Sequence, residues 1–89
     1  METKKIVMPI VHLNGTAAED LISQRSEFLD GLHLAGRCLA KIAPNGRDYY
    51  LEPGRMEKAV EQHERRMAAL KEMIEEIEGE VRYLDELDR

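Results

Sequence analysis

The sequence predicts an all-α fold, in which an antiparallel two-helix hairpin with an extended N-terminal arm assembles into a homo-oligomeric helical bundle. Two long segments carry apolar residues at alternating spacings of three and four, the pattern of helices with one buried face. A short segment with two prolines and two glycines separates them, which is typical of two helices joined by a connection. The 89 residues suffice for one domain with a modest core.

Residues 1–13 predict an extended arm or an edge strand. They are rich in Ile and Val but contain Pro9, which neither a helix interior nor a central strand tolerates. Pro9 and His12 also interrupt the apolar stretch before any plausible signal-peptide cleavage site. Because Cys38 is the one cysteine and no run approaches about 20 apolar residues, we expect a cytoplasmic protein with a semi-buried Cys38.

The first helix is predicted over residues 17–43. Thr16 and Glu19 have the spacing of a capping box, in which the threonine hydroxyl accepts a hydrogen bond from the Glu19 N–H. Pro44 ends the helix, because the residue before a proline is disfavoured in helical geometry. Its main apolar stripe comprises Leu21, Phe28, Leu32, Ala35, Leu39 and Ile42.

The second helix is predicted over residues 55–88, after a loop at 44–54. Its apolar seam keeps the same alternation for about four heptads, as in a coiled coil. His63 lies in this seam, where we expect a packed core or interface side chain. The seam comprises Met56, Val60, His63, Met67, Leu70, Ile74, Ile77, Val81 and Leu84.

Self-association follows from two features of this hairpin. The second helix is longer than the first and therefore overhangs it. Leu34 and Cys38 form a second apolar patch, nearly opposite the main stripe of the first helix. A lone hairpin cannot cover both faces, and each large apolar side chain left in water forfeits about 1.5–3 kcal/mol. We therefore expect a homodimer or higher oligomer, with a dimeric four-helix bundle as the leading architecture.

The net charge of −5 is unevenly placed, since residues 67–89 hold three basic and eight acidic residues. No basic stripe is long enough to neutralise a phosphate backbone, so we expect no binding to duplex nucleic acid, and no segment indicates a membrane partner. Basic residues are in excess only near the mid-chain turn, where the cations are Arg37, Lys41, Arg47, Arg55 and Lys58.

Two short polar motifs flank the first helix: His-Leu-Asn-Gly-Thr at 12–16 and Asn-Gly-Arg-Asp-Tyr-Tyr at 45–50. Asn-Gly pairs are typical of turns with positive φ, so one interpretation is that both motifs only turn and cap the helix. The other is an anion site, because a guanidinium, aromatic rings and a helix N-terminus suit a phosphate that carries a flat base. The candidate ligand-binding residues are His12, Asn14, Thr16, Arg25, Asn45, Arg47, Asp48, Tyr49 and Tyr50.

Arg25 interrupts the apolar stripe of the first helix and needs a partner. In an antiparallel hairpin we expect it near Met73, where Glu72 or Glu76 could pair with it. The alternative is an arginine that binds an anion in a shared cavity.

The pattern of chemistry-bearing residues predicts neither an enzyme nor a metal site. His12, His33, Cys38 and His63 lack the short paired spacings of tetrahedral metal sites. The chain also lacks a glycine-rich phosphate loop and a nucleophile elbow, and we expect no cofactor.

The two motifs resemble those of small, uncharacterised accessory proteins of tailed bacteriophages, which share His-Leu-Asn-Gly-Thr near the start and Asn-Gly-Arg-Asp-Tyr-Tyr near the middle. The resemblance extends from Val11 to about Leu84. Such relatives often carry serine where this chain has Ala17, and glycine-proline where it has Pro53-Gly54. No activity transfers from the group. The resemblance implies a phage accessory protein in the cytoplasm of a bacterial host cell, a class that often counters host defences.

We therefore expect a protein that binds and sequesters a small anionic, nucleotide-type immune signal without chemistry. The alternative is a helical interaction module that inhibits or bridges a host or phage protein, or else a virion or scaffold component. Within one chain the motifs flank a helix roughly 40 Å long. They can form one site if the N-terminal arm doubles back, or if a two-fold axis across the first helix brings residues 12–16 of one chain beside residues 45–50 of its partner.

Overall fold

The computed structural model describes residues 6–87, which contain three helices: α1 (Ala18–Lys41), α2 (Gly46–Tyr49) and α3 (Arg55–Leu87). Helices α1 and α3 pack side by side as an antiparallel hairpin, so that Arg25 meets Glu80 while Gly36 lies against Leu70. The molecule is elongated, with extents of 61 × 29 × 19 Å. The predicted all-α hairpin is confirmed for these residues, whereas its assembly into an oligomer stays a prediction.

Residues 6–17 approach α1 without regular secondary structure, apart from a turn at 13–15. Ile6 and Met8 are half-buried, whereas Val7 and Leu13 are exposed. Because no strand occurs between residues 6 and 87, the structure does not support the edge-strand alternative there. The first five residues of the predicted arm lie outside the described part of the chain.

Helix α1 begins without the predicted capping box. Its N-cap is Ala17, whose carbonyl accepts hydrogen bonds from the N–H groups of Asp20 (3.1 Å) and Leu21 (3.0 Å), and no side chain caps this end. The helix starts one residue later than predicted, which places Thr16 one residue too early to reach the first turn. Glu19 and Asp20 still complement the positive end of the helix dipole.

Helix α1 ends at Lys41, two residues before the predicted end at 43. Two hydrogen bonds that span three residues instead of four end it: Ile42 N–H donates to Leu39 O (3.1 Å) and Ala43 N–H donates to Ala40 O (3.3 Å). The predicted loop then contains the short helix α2 and turns back at Gly54, where φ is +82°. Gly54 is the one described residue with a positive φ, so positive φ at the two Asn-Gly pairs was a wrong expectation.

The register of the hairpin differs from the predicted one by a heptad. Arg25 pairs with Glu80, seven residues beyond Met73. The reason is the 42–54 connection, which folds back along α3 instead of forming a minimal loop, so that α2 contacts α3. The first turns of α3 therefore extend past the end of α1, which places the expected overhang at the loop end.

The core is thin and uneven along the hairpin. Leu84 is completely buried, and Ala18, Leu32 and Ala59 complete the set of buried apolar residues in the described chain. Met67, which the seam pattern placed in the core, is 50% exposed. The seam is therefore closed near Leu84 and open in the middle of α3.

The burial predicted for Cys38 and His63 agrees with the structure for His63 alone. Cys38 is exposed, not semi-buried, because it lies on the side of α1 that faces away from α3. His63 is buried, as expected of a seam residue, but its Nδ1 has no hydrogen-bond partner within residues 6–87. None of the described helices is long and apolar enough to cross a bilayer.

Candidate functional site

A cavity of about 390 Å³ opens at the loop end of the hairpin, beside the first turns of α3. The connection closes one side of it and the first eleven residues of α3 form the other. Its lining residues are Tyr49, Glu52, Pro53, Arg55, Lys58, Ala59, Gln62 and Arg65.

The cationic wall of this cavity follows from helical spacing. Arg55, Lys58, Gln62 and Arg65 are separated by three, four and three residues, so they project from one face of α3. The acidic residues of the same turns have a different phase and do not line the cavity; they are Glu57, Glu61 and Glu64. Charge is thus segregated around this part of α3.

One carboxylate enters the cavity and is already engaged. Glu52 Oε2 accepts a hydrogen bond from Arg55 Nε at 2.7 Å, and both side chains are more than half exposed. Such an exposed pair contributes little to stability, but it orients the guanidinium. Lys58 and Arg65 make no salt bridge within residues 6–87, so their charges face the cavity without a counterion from the described chain.

Tyr49 supplies the aromatic ring of the site. It is half-buried and lines both this cavity and an adjoining one of about 340 Å³. Its position depends on Asn45, whose Oδ1 accepts a hydrogen bond from the Asp48 N–H (3.3 Å) and whose Nδ2 donates to Asp48 Oδ2 (2.8 Å). This reciprocal cap fixes α2, and with it the ring. The cavity therefore offers a ring and cations, which together suit a flat anionic group.

Three residues of the motif at 45–50 thus have structural positions in or behind the site. Asn45 and Asp48 form the cap of α2, and Tyr49 lines the cavity. Arg47 and Tyr50 are exposed and line neither cavity at this end of the hairpin. Their ligand-binding roles stay predictions.

The motif at 12–16 forms a compact turn. Gly15 N–H donates to His12 O at 3.1 Å, and the His12 ring folds over Gly15 so closely that an added Cβ would lie 2.7 Å from Nε2. Asn14 and Thr16 are exposed. The 24 residues of α1, a length of about 36 Å, separate this turn from the cavity. A shared site for the two motifs therefore still requires a second chain.

Arg25 is engaged in the hairpin itself. Its Nε donates to Glu80 Oε1 at 2.9 Å and its Nη1 to the carbonyl oxygen of Leu21 at 3.2 Å. The expected partners Glu72 and Glu76 were wrong because of the heptad shift, although an acidic partner on α3 was correctly anticipated. An anion at Arg25 would have to displace Glu80, whose side chain is only 14% exposed.

Sequence reasoning missed the cations that face the cavity. The sequence pattern indicates Arg55 and Lys58 only as part of a local basic excess, and it gives no separate prediction for Gln62 and Arg65. The spacing of residues 55, 58, 62 and 65 does place these side chains on one helix face. The apolar seam in the same turns is the stronger pattern and hides this polar face.

The described residues contain no group of three or more His, Cys, Asp or Glu side chains placed to hold a metal ion. The sequence matches no protein-family model, no curated protein and no solved structure at a significant level.

Proposed function

We propose that this protein is a binding module that holds a small phosphate-bearing ligand in the loop-end cavity without transforming it. The observation that carries the proposal is the convergence of Lys58, Arg65 and the Tyr49 ring on one cavity of about 390 Å³. Neither cation has a counterion within residues 6–87. A phosphate supplies the missing negative charge, and Arg65 can bind it through two parallel hydrogen bonds.

The ring narrows the ligand class to nucleotides. A tyrosine face or edge favours a flat aromatic group over a sugar phosphate or inorganic phosphate. The volume is in the range of small-molecule sites. The residues that line the cavity include no nucleophile paired with a base. The proposed activity is therefore retention of the ligand. Sequestration of a nucleotide-type signal in a phage-infected cell is the proposed context, and this part depends on the resemblance of the two motifs.

Two adjacent arginines allow a matched test. Both side chains are exposed, but Arg65 lines the cavity and Arg66 does not. We would measure binding of adenosine diphosphate, cyclic dinucleotides and inorganic phosphate to the full chain by calorimetry and native mass spectrometry. Arg65→Glu should weaken nucleotide binding at least tenfold, because it places a carboxylate against the phosphate. Arg66→Glu makes the same change in net charge and should weaken it less than threefold.

Three results would contradict the proposal. The first is that the wild-type protein retains no nucleotide at millimolar nucleotide concentration. The two variants could lose affinity equally, which would indicate only long-range attraction by net charge. Inorganic phosphate could bind as tightly as the nucleotides, in which case the ring has no part in recognition.

A further inference from the structure

One face of the hairpin is apolar and open. This open apolar face comprises Phe28 and Leu39 of α1, Ile42 at the C-terminal cap of that helix, and Val60, Met67 and Ile74 of α3. Phe28 is 47% exposed and Ile42 61%. A groove of about 210 Å³ runs between the helices here, and Lys71 is the single charged residue in its lining.

The chain as a whole exposes more surface than a compact monomer of its size. A compact monomer of 10.2 kDa exposes about 5,300 Å². This chain exposes 7422 Å², an excess of about 2,100 Å². A stable interface of standard size takes about 800 Å² from each partner. The excess is therefore sufficient for a partner that covers the open apolar face.

Charge is distributed along the hairpin as in a dipole. The loop half, residues 31–71, holds eight basic and five acidic residues. The arm half, residues 18–30 with 72–87, holds two basic and eleven acidic residues. The antiparallel pairing of α1 and α3 places these sets at opposite ends of the long axis. Two copies side by side attract each other when they point in opposite directions and repel when they point the same way.

We propose that a second copy of this chain covers the open apolar face, with the two hairpins antiparallel and related by a two-fold axis perpendicular to their helices. The loop half of each copy then lies beside the arm half of the other. This surface differs from the Leu34 and Cys38 patch that the sequence suggested, because neither of those residues lines the groove. The arrangement also puts the turn at 12–16 of one copy at the same end of the dimer as the partner's cavity.

The first experiment compares two apolar-to-charged substitutions in the full chain by sedimentation equilibrium. Met67→Glu changes the open apolar face, and Leu34→Glu changes the opposite patch; the two side chains are 50% and 54% exposed. We expect a wild-type dimer at about 10 μM. Met67→Glu should raise the dimer Kd at least a hundredfold, whereas Leu34→Glu should change it less than threefold.

A wild-type monomer at this concentration would overturn the proposal and leave the face to a different protein partner. Dissociation by Leu34→Glu but not by Met67→Glu would assign the interface to the other patch. Circular dichroism checks that both variants stay helical. If Met67→Glu unfolds, Val60→Glu serves instead, because Val60 lies on the same face and is 36% exposed.

The second experiment determines the orientation of the copies. In a Cys38→Ser background, one population carries Leu51→Cys at the loop end and another carries Glu86→Cys at the arm end. Antiparallel hairpins should cross-link with a short reagent between the two populations, and each population alone should cross-link poorly. Efficient cross-linking of Leu51→Cys to itself would show the parallel arrangement and overturn the orientation.

The salt dependence of the dimer Kd tests the attraction between opposite ends without any substitution. Raising NaCl from about 0.05 to about 0.5 M screens the attraction between opposite ends. We expect the dimer Kd to rise several-fold. A Kd that falls with salt would mean that like-charged ends lie together, which contradicts the proposed arrangement.

Discussion

The arm half and the loop half of the hairpin use their side chains in opposite ways. In the arm half, Leu84 is fully buried and the Arg25–Glu80 pair is largely covered, with side chains 23% and 14% exposed. In the loop half, the corresponding pair of Glu52 and Arg55 is open to solvent, at 62% and 55%. His63 is buried there with an unpaired Nδ1 among the described atoms.

This difference separates stability from binding within one small chain. Buried apolar side chains and shielded polar contacts are the terms that stabilise a fold. Among the described residues, the one completely buried side chain, Leu84, and the shielded Arg25–Glu80 pair both lie in the arm half. Exposed cations contribute little to folding, so the loop half can present them to a ligand at low cost. We therefore expect substitutions in the arm half to affect unfolding and substitutions in the cavity to affect binding.

The largest effect is expected from truncation in the arm half. Leu84→Ala removes a fully buried side chain and should lower the free energy of unfolding by about 2–5 kcal/mol. Leu87→Ala, one turn later and 51% exposed, should lower it by less than about 1 kcal/mol. Urea unfolding at one fixed protein concentration measures both, because self-association makes stability concentration-dependent. Similar losses for the two variants would contradict the placement of the core.

The two ion pairs should differ in the same direction. Arg25→Ala leaves the mostly covered Glu80 carboxylate without its partner and should cost about 1–3 kcal/mol. Arg55→Ala should cost less than about 1 kcal/mol, since its pair is exposed. Adding Glu80→Ala to Arg25→Ala should recover part of the loss in a double-mutant cycle. Equal costs for the two arginines would remove the contrast between the halves.

Alanine substitutions at two glycines of the connection should change stability differently, because the two glycines differ in φ. Gly54→Ala should cost about 1 kcal/mol, because φ is +82° and an L side chain is disfavoured there. Gly46 begins α2 with a negative φ and open space around an added Cβ. Gly46→Ala should therefore be neutral or slightly stabilising in thermal unfolding. The reverse order would mean that the turn at Gly54 is not formed in solution.

The smallest effect concerns the two candidate helix caps. Asn45→Ala removes the side-chain bonds to Asp48 and should cost about 0.5–1 kcal/mol. It should also weaken nucleotide binding, because α2 carries Tyr49 into the cavity. Thr16→Ala should change stability by no more than a few tenths of a kcal/mol, since no side chain caps α1. A loss of about 1 kcal/mol for Thr16→Ala would restore the capping box that the sequence suggested.

The sequence indicated only part of the candidate site. Residues 45–50 offered a cap of the first helix and an anion site as alternatives. The structure places Tyr49 at the cavity, and the Asn45–Asp48 cap belongs to α2, which the sequence did not predict. Whether Lys58 and Arg65 line a cavity depends on how the connection folds over α3. The residues of the connection do not determine that path by themselves. Arg25 needed an acidic partner because it interrupts an apolar stripe, but the identity of that partner depends on register.

The sequence by itself determined that this chain forms two long helices and that they pack as a hairpin, because apolar periodicity specifies which face of each helix is buried. Local terms also determined that α1 stops before Pro44, since proline restricts the backbone of the preceding residue, although the helix ends at Lys41, two residues before the predicted end. Only the tertiary structure decided the heptad register, the closed core at Leu84 and the open face around Met67. A heptad repeat is nearly degenerate under a shift of seven residues, so the choice between registers depends on the path of the connection and on the pairing of Arg25 with Glu80.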